Sequence, residues 1–344
     1  MCESRINLLD IMTQAAAADV APLRRFFFSN PEKPLMATGS GGAETVADFV
    51  TLLYGARGGV GTSVSPYTMN SISDEALKTS KLLLVSAGGH NNDIVFTAKR
   101  GLAVNRPDTA SFTLSKSDRN EVRKLFLKAG SNLSFDIPIH STPDGFVSTT
   151  TPIKYFALIA RTFDPGCDLM KYVEVPHTTF RVEHNDGSNL PVEDLRDVGS
   201  FVILHGSWGR PVAANLEGKL VESGLASASV YDYRNYCHGR FIYTSNHLKD
   251  SAVIMFITPR EHDIARRIRS FLPARTRLVI IETSENSPEA SLDLLIKSTW
   301  FFFNLCEATG TNYDVPSNPG RIDKRVPMWI PFMSEMKKEG PLTI

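Results

Sequence analysis

The chain has 344 residues, of which 42% are hydrophobic; this is enough for one large core or, more typically at this length, two domains of about 150 residues, and it argues against disorder as the dominant state. Lys+Arg and Asp+Glu both total 37, so no global field draws the protein to nucleic acid or to an anionic membrane. Cys2, Cys167, Cys237 and Cys306 are too widely spaced for a disulfide framework or a CxxC metal site, and no apolar run reaches membrane-spanning length, so the expected setting is reducing and cytoplasmic.

In chain order, residues 6–28 predict an opening alanine-rich helix, ended by Asn30-Pro31 and Lys33-Pro34. Residues 35–38 predict a short buried strand and 39–42 a turn. A helix follows over 43–54, with Val46, Phe49, Val50 and Leu53 on one face. Gly55, Gly58, Gly59 and Gly61 return the chain to a second strand. Lys81-Leu-Leu-Leu-Val-Ser86 has the continuous apolar character of a parallel strand covered on both faces. It runs into Ala87-Gly-Gly-His-Asn-Asn-Asp93 and a helix over 94–103. Strands at 110–114 and 135–139 then alternate with helices at 120–128 and 151–163, the rhythm of a doubly wound sheet.

The pattern loosens over 164–196, which reads as a linker or crossover. A second series follows, with strands at 201–204, 229–233, 252–258 and 277–282 and helices at 212–223, 264–271 and 290–306. From Gly310 onward, Pro316, Pro319, Pro327 and Pro331 predict a tail that wraps a surface instead of adding a layer. Two openings of the same kind, Leu35-Met-Ala-Thr-Gly-Ser-Gly-Gly42 and Val202-Ile-Leu-His-Gly-Ser-Trp-Gly209, stand about 165 residues apart and predict an internal duplication. The expected fold is therefore α/β, with two doubly wound, mostly parallel sheets. The expected organisation is an N-terminal helix (1–30), a first domain (31–180), a second (181–310) and a wrapping tail or lid (311–344).

In such sheets ligands sit outside the carboxyl ends of strands, where helix amino termini offer free amide donors to an anion. Residues 39–44, 86–93, 206–210 and 258–262 fall at such ends, and the first two are the richer candidates. Gly39, Ser40, Gly41, Gly88 and Gly89 let backbone approach a ligand, while Ser86, His90, Asn91 and Asn92 supply polar groups. The first segment lacks the lysine of a P-loop and the second lacks the third glycine of a dinucleotide turn. In the second half, Glu222 near a helix end is a candidate base for moving a carbon-bound proton. Glu217, five residues earlier, lies roughly 140° away around the helix and need not serve the same site. His238, before a glycine, suits a ligand-facing loop and titrates near neutrality. Trp208 is placed either to cover a ligand ring or to pack internally. No metal site is predicted: His177 and His184 lie seven apart in an irregular stretch, and His262-Asp263 has no matching cluster.

From about residue 30 the chain resembles the tandem sugar isomerase (SIS) family, which includes the isomerase half of glucosamine-6-phosphate synthase, fructoselysine-6-phosphate deglycases and related aldose-ketose isomerases and deaminases. The resemblance rests on Leu216-Glu-Gly-Lys-Leu-Val-Glu222 followed by His238-Gly239, where the family has Glu-Gly-x-x-x-Lys-x-x-Glu and then His-Gly-Pro, with two fewer residues here. It implies that Glu222 transfers the proton, Lys219 stands beside it and His238 opens the sugar ring. It further implies that a phosphosugar meets Ser86 and its turn, that a homodimer completes the site, and that no metal or redox cofactor takes part. The chain departs from the family at Ser86-Ala-Gly-Gly-His-Asn91, where Ser-x-Ser-Gly-x-Thr is usual. Gly88 and Asn91 thus replace two hydroxyl ligands of phosphate, Gly41 stands near a usual serine, and Arg240 replaces proline. His90, Asn91 and backbone amides remain to compensate. Lys324 in the tail is a candidate anion contact. The expected activity is that of a phosphosugar isomerase, deaminase or deglycase; the alternative is a noncatalytic sugar-phosphate or nucleotide-sugar sensor.

Overall fold

A computed structural model describes residues 6–69 and 71–314, which divide into two compact units. The tail that carries Lys324 lies outside the described residues, as does the greater part of the expected lid.

Within its described residues the first unit comprises 14–69, 71–140 and 161–166. The opening helix is two helices, α1 (Leu8–Ala17) and α2 (Ala21–Phe28), where one was expected over 6–28. The break has a local cause: the Asp19 carboxylate accepts the Ala21 N–H at 3.0 Å, and Pro22 in the first turn of α2 cannot continue a helix from behind. There follow β1 (Leu35–Gly39), α3 (Gly42–Ala56), β2 (Gly61–Ser63), two short helices α4 (Pro66–Met69) and α5 (Asp74–Lys78), β3 (Lys81–Val85), α6 (Asn92–Asn105), β4 (Thr109–Thr113), α7 (Glu121–Lys128) and β5 (Ser134–Asp136). The five strands are all parallel in the order β2-β1-β3-β4-β5. Every residue of β3 and β4 is buried, as continuous apolar strands covered on both faces require.

The second unit comprises 6–13, 141–160 and 167–314. Its elements after α8 (Thr150–Phe163) are β6 (Phe180–His184), β7 (Ser200–His205), α9 (Arg210–Glu222), β8 (Ser227–Asp232), α10 (Tyr233–Asn235), α11 (Phe241–Asn246), β9 (Ser251–Ile257), α12 (His262–Phe271), β10 (Arg277–Glu282) and α13 (Glu289–Thr309). The sheet order is β6-β10-β9-β7-β8, parallel except for β6. The stretch expected to be only a linker therefore contains an edge strand. Its alternation Phe-Arg-Val-Glu-His buries Val182 on one face, while Arg181 and Glu183 go to ion pairs, so the apolar signal is weak. Counted from their first parallel strand, β1-β3-β4 and β7-β9-β10 follow one plan, with the second strand on the outside in each sheet. The chain is thus an α/β protein with two mostly parallel, doubly wound sheets, consistent with duplication.

Candidate functional site

The strand order reverses between β1 and β3 in the first sheet and between β7 and β9 in the second; in open parallel sheets such switch points are where crevices form outside the carboxyl ends. Both glycine-rich loops of the first unit lie there: Gly39 ends β1 and Ser40 and Gly41 follow it, and Ser86 to Asn91 follow β3.

The second of these loops is held rigidly. Ser86 is buried, its N–H donates to Phe112 O at 3.2 Å, and its Oγ accepts the Gly89 N–H at 3.2 Å. Gly89 sits at φ 67° with the Asn120 amide only 1.9 Å from where a Cβ would be, so glycine is required twice over. Asn120 Nδ2 donates in turn to Thr113 Oγ1, Ser115 O and Asp136 Oδ1 at 2.9, 2.8 and 3.1 Å, fastening the turn to the ends of β4 and β5. A Cβ on Gly88 would meet the His90 ring at 2.3 Å, and His90 itself is exposed. Asn91 caps α6: its Oδ1 accepts Asp93 N–H at 2.9 Å and Ile94 N–H at 3.4 Å. In the loop after β1, Gly39 is buried against the carbonyl of Ala43, Ser40 is half-buried, and Gly41 is exposed at φ 59°. One residue earlier, the Thr38 hydroxyl is fully buried and has no hydrogen-bond partner among the described residues.

In the second unit α9 packs along α13 and carries Glu217, Lys219 and Glu222. Lys219 is buried, and among the described residues its ammonium makes one hydrogen bond, to Thr299 Oγ1 at 2.8 Å. Loss of hydration pulls its pKa down to about 7, against the opposing pull of Asp144 and then Glu222. Glu222, the last residue of the helix, is exposed by surface area; even so, its carboxyl is pushed upward, first by partial burial and then by Glu217, while Lys219 acts in the opposite sense. Partial burial also raises Glu217. Glu217, which from its angle around the helix need not serve the same site, thus acts electrostatically on Glu222. His238 is exposed in a kinked turn between α10 and α11, where Gly239 takes φ 97°, and it is not among the charges that act on Glu222 or Lys219.

Two features of the second unit were not assigned from sequence. Asp144 is a largely buried carboxylate that caps α8, accepting the Thr150 and Thr151 N–H groups at 2.7 and 2.9 Å and the hydroxyls of Ser148, Thr149 and Thr150. Burial opposes its charge, and these bonds overcome that penalty and hold its carboxyl below the usual range. The motif Asp144-x-x-x-Ser-Thr-Thr-Thr before an apolar helix was the readable signal. His205, at the carboxyl end of β7, is buried; burial lowers its pKa, so the ring is neutral near pH 7 and its Nδ1–H donates to Gly206 O at 2.9 Å. Its place at a strand end was the available signal. Trp208, left between two roles, is buried, with its carbonyl accepting the Ser291 hydroxyl at 2.6 Å. Among the described residues no group of three or more His, Cys, Asp or Glu could hold a metal ion, and no helix is long and apolar enough to cross a membrane.

No protein-family model and no curated protein sequence matches the chain. Solved structures do. A glucosamine-6-phosphate deaminase from Thermotoga maritima superposes with a TM-score of 0.66 at 16% identity, covering 91% of this chain and 98% of that one. A tagatose-6-phosphate ketose/aldose isomerase from Escherichia coli gives 0.68 at 14% identity, covering 91% and 93%. The C-terminal domain of the glucosamine-fructose-6-phosphate aminotransferase of Francisella tularensis gives 0.60 at 12% identity, covering 89% and 94%. At these identities the likeness carries fold and not activity: along about nine-tenths of its length the chain shares the fold of these proteins.

Proposed function

We propose that the protein is a phosphosugar isomerase, deaminase or deglycase. The observation that carries this reading is the set of charges on α9, where a carboxyl raised above its usual range at Glu222 stands in the field of Glu217 and of a buried amine at Lys219. A carboxylate so tuned accepts a proton from carbon and returns it to the neighbouring carbon. In this reading Glu222 moves the proton, Lys219 sets the local charge and His238 opens the ring. The switch-point loops of the first sheet take the phosphate through Ser86, the Gly88 amide and His90 on a turn that Gly89 shapes, with Gly39, Ser40 and Gly41 on the facing loop. No metal or redox cofactor is needed for that chemistry.

A homodimer is part of the proposal. Phe241, Ile242 and Tyr243, consecutive on α11, are each more than 40% exposed, an apolar run that a second copy would cover. A cytoplasmic setting fits the free, exposed thiol of Cys237. The duplication reading, with halves at 31–180 and 181–310, is supported by the shared strand plan.

The sensor reading is favoured by one observation. Asn91, where a phosphate-binding hydroxyl is usual, uses its carbonyl oxygen to cap α6 and so occupies two of the amides that a phosphate would take. Deuterium exchange at the carbon next to the carbonyl, measured across a panel of amino and keto sugar phosphates, separates the two. Exchange that is lost in Glu222→Gln supports the enzyme, and saturable binding without exchange supports the sensor. Exchange that survives Glu222→Gln refutes the role given to that residue.

A further inference from the structure

The first unit has a cavity that the switch-point loops do not line. It holds about 610 Å³ and lies against β5, the strand at the margin of the sheet, which β4 separates from the crevice between β1 and β3. That volume is within the range of roughly 300–1,000 Å³ common to small-molecule sites. Pro22 and Leu23 of α2, with Phe135, Ile137 and Pro138 in and after β5, give the cavity apolar walls.

Its charged lining carries an excess of cation once hydrogen bonds are counted. The Asp136 carboxylate accepts the hydroxyls of Thr113 and Ser134 at 2.6 and 3.1 Å and the Asn120 amide at 3.1 Å, so three neutral donors already solvate it. Arg123 reaches it only at 3.4 Å, and Arg123 Nη1 donates to Lys116 O at 3.3 Å. Both contacts are long. Among the described residues Arg123 Nη2 has no partner, and neither has the Lys116 ammonium. The bond between Arg123 and the Lys116 carbonyl brings two cations to one wall, where each raises the energy of the other until an anion joins them. The other carboxylate of the lining, Asp19, is exposed and caps α2 through the Ala21 N–H at 3.0 Å. The free edge of β5 adds donors. Leu133 O and Ile137 N–H are bonded to β4, so by the alternation of the ladder Ser134 and Asp136 turn their N–H groups away from β4, where no described residue accepts them.

We propose that this cavity binds a small organic anion with an apolar body. The headgroup sits on Lys116 and Arg123, and the body lies between α2 and β5. A sulfonate, carboxylate or phosphate monoester has the oxygens to meet a guanidinium edge and an ammonium together. The site uses no residue of the proposed phosphosugar site and does not depend on it.

The test is fluorescence titration of the full-length protein with anilinonaphthalene sulfonate, which carries both halves of that chemistry, with thermal melting to confirm that each variant is folded. One saturable equivalent per chain is expected. Lys116→Glu, on an exposed side chain, should weaken it about tenfold or more by turning an attraction to the headgroup into a repulsion. Ala18→Leu adds bulk to the lining at the corner of α1 and α2 and should weaken it to a similar degree with no change of charge. Lys124→Glu, the same charge change on an exposed residue of α7 outside the cavity, should leave the affinity within about twofold. Benzenesulfonate should displace the probe about tenfold more effectively than inorganic sulfate, which has the charge without the body. The proposal is overturned if no saturable equivalent appears, if Lys116→Glu and Lys124→Glu act alike, if Ala18→Leu has no effect, or if sulfate competes as well as benzenesulfonate. No arm uses a phosphosugar or Glu222, so failure of the phosphosugar reading and failure of this one are read separately.

Discussion

Lys219→Met should make the second unit more stable near neutral pH and less distinguishable from the wild type as pH rises. The ammonium of Lys219 has three donor hydrogens and, among the described residues, one hydrogen-bond partner, the Thr299 hydroxyl, and burial takes its pKa from 10.5 to about 7. Keeping it charged at neutrality therefore costs on the order of 5 kcal/mol relative to a solvated lysine, and escaping that cost by losing the proton recovers little until the pH exceeds 7. The sign follows from the depressed value: between about 7 and 10.5 the unfolded chain binds more protons than the folded one, so the penalty is complete below that window and vanishes above it. Methionine keeps the length and apolar volume and gives up one hydrogen bond, worth ~1 kcal/mol, while Thr299 Oγ1 still donates to Leu295 O at 2.8 Å. The net expectation is a gain of roughly 2–4 kcal/mol at pH 6–7 that shrinks to about zero by pH 10. Urea unfolding at five pH values reads this directly through the fluorescence of Trp208 and Trp300, both buried in the second unit, on a Trp329→Phe background. A difference between variant and wild type that stays constant from pH 6 to pH 10 would refute the argument.

Lys81→Met is expected to have the opposite sign, because this buried ammonium donates to the carbonyls of Phe26, Phe27 and Ser29 at the end of α2; the loss should be about 2–4 kcal/mol in first-unit stability, and less than 1 kcal/mol by urea titration would count against it. Asp144→Ala removes five hydrogen bonds from the start of α8 and should cost about 3–5 kcal/mol at pH 7. Its carboxyl is depressed, so that contribution is present above pH ~4 and fades as the pH falls through the folded value; thermal melts at pH 7 and pH 3 should show the gap between variant and wild type closing. Gly89→Ala combines a left-handed backbone with a clash on the Asn120 amide and should cost about 2–4 kcal/mol and weaken phosphosugar binding at least tenfold. Gly130→Ala, at φ 65° but facing open space, should cost only about 1 kcal/mol and serves as the control in the same calorimetric series.

The sequence made the sheets legible because both-face burial leaves an unmistakable mark: runs such as Lys81-Leu-Leu-Leu-Val and Ser251-Ala-Val-Ile-Met-Phe-Ile have no polar face, and only covered parallel strands tolerate that. Edge elements were harder. β6 is antiparallel at the margin of its sheet, and two of its five side chains go to ion pairs, so periodicity had little to work with. The opening helix was misjudged for a related reason. Alanine-rich composition favours a helix throughout 6–28, and the break rests on a single Asp19 cap followed by Pro22.

The candidate site divides along the same line between what neighbours in sequence decide and what distant segments decide. The turn at Ser86 to Asn91 could be placed at a strand end from local spacing, but its rigidity comes from Asn120, and the ends of β4 and β5 hold Asn120 in place. The roughly 140° of helix between Glu217 and Glu222 means that they need not serve one site; even so, partial burial lowers the screening between them and Glu217 acts on Glu222, which angle alone does not reveal. Lys219 is the sharpest case. A lysine three residues before a glutamate reads as a solvated helix pair, and only the packing of α9 on α13, 80 residues away in sequence at Thr299, turns it into a buried amine that titrates near neutrality. A residue type can be read from the chain, whereas the pKa that decides its chemistry belongs to whichever element covers it.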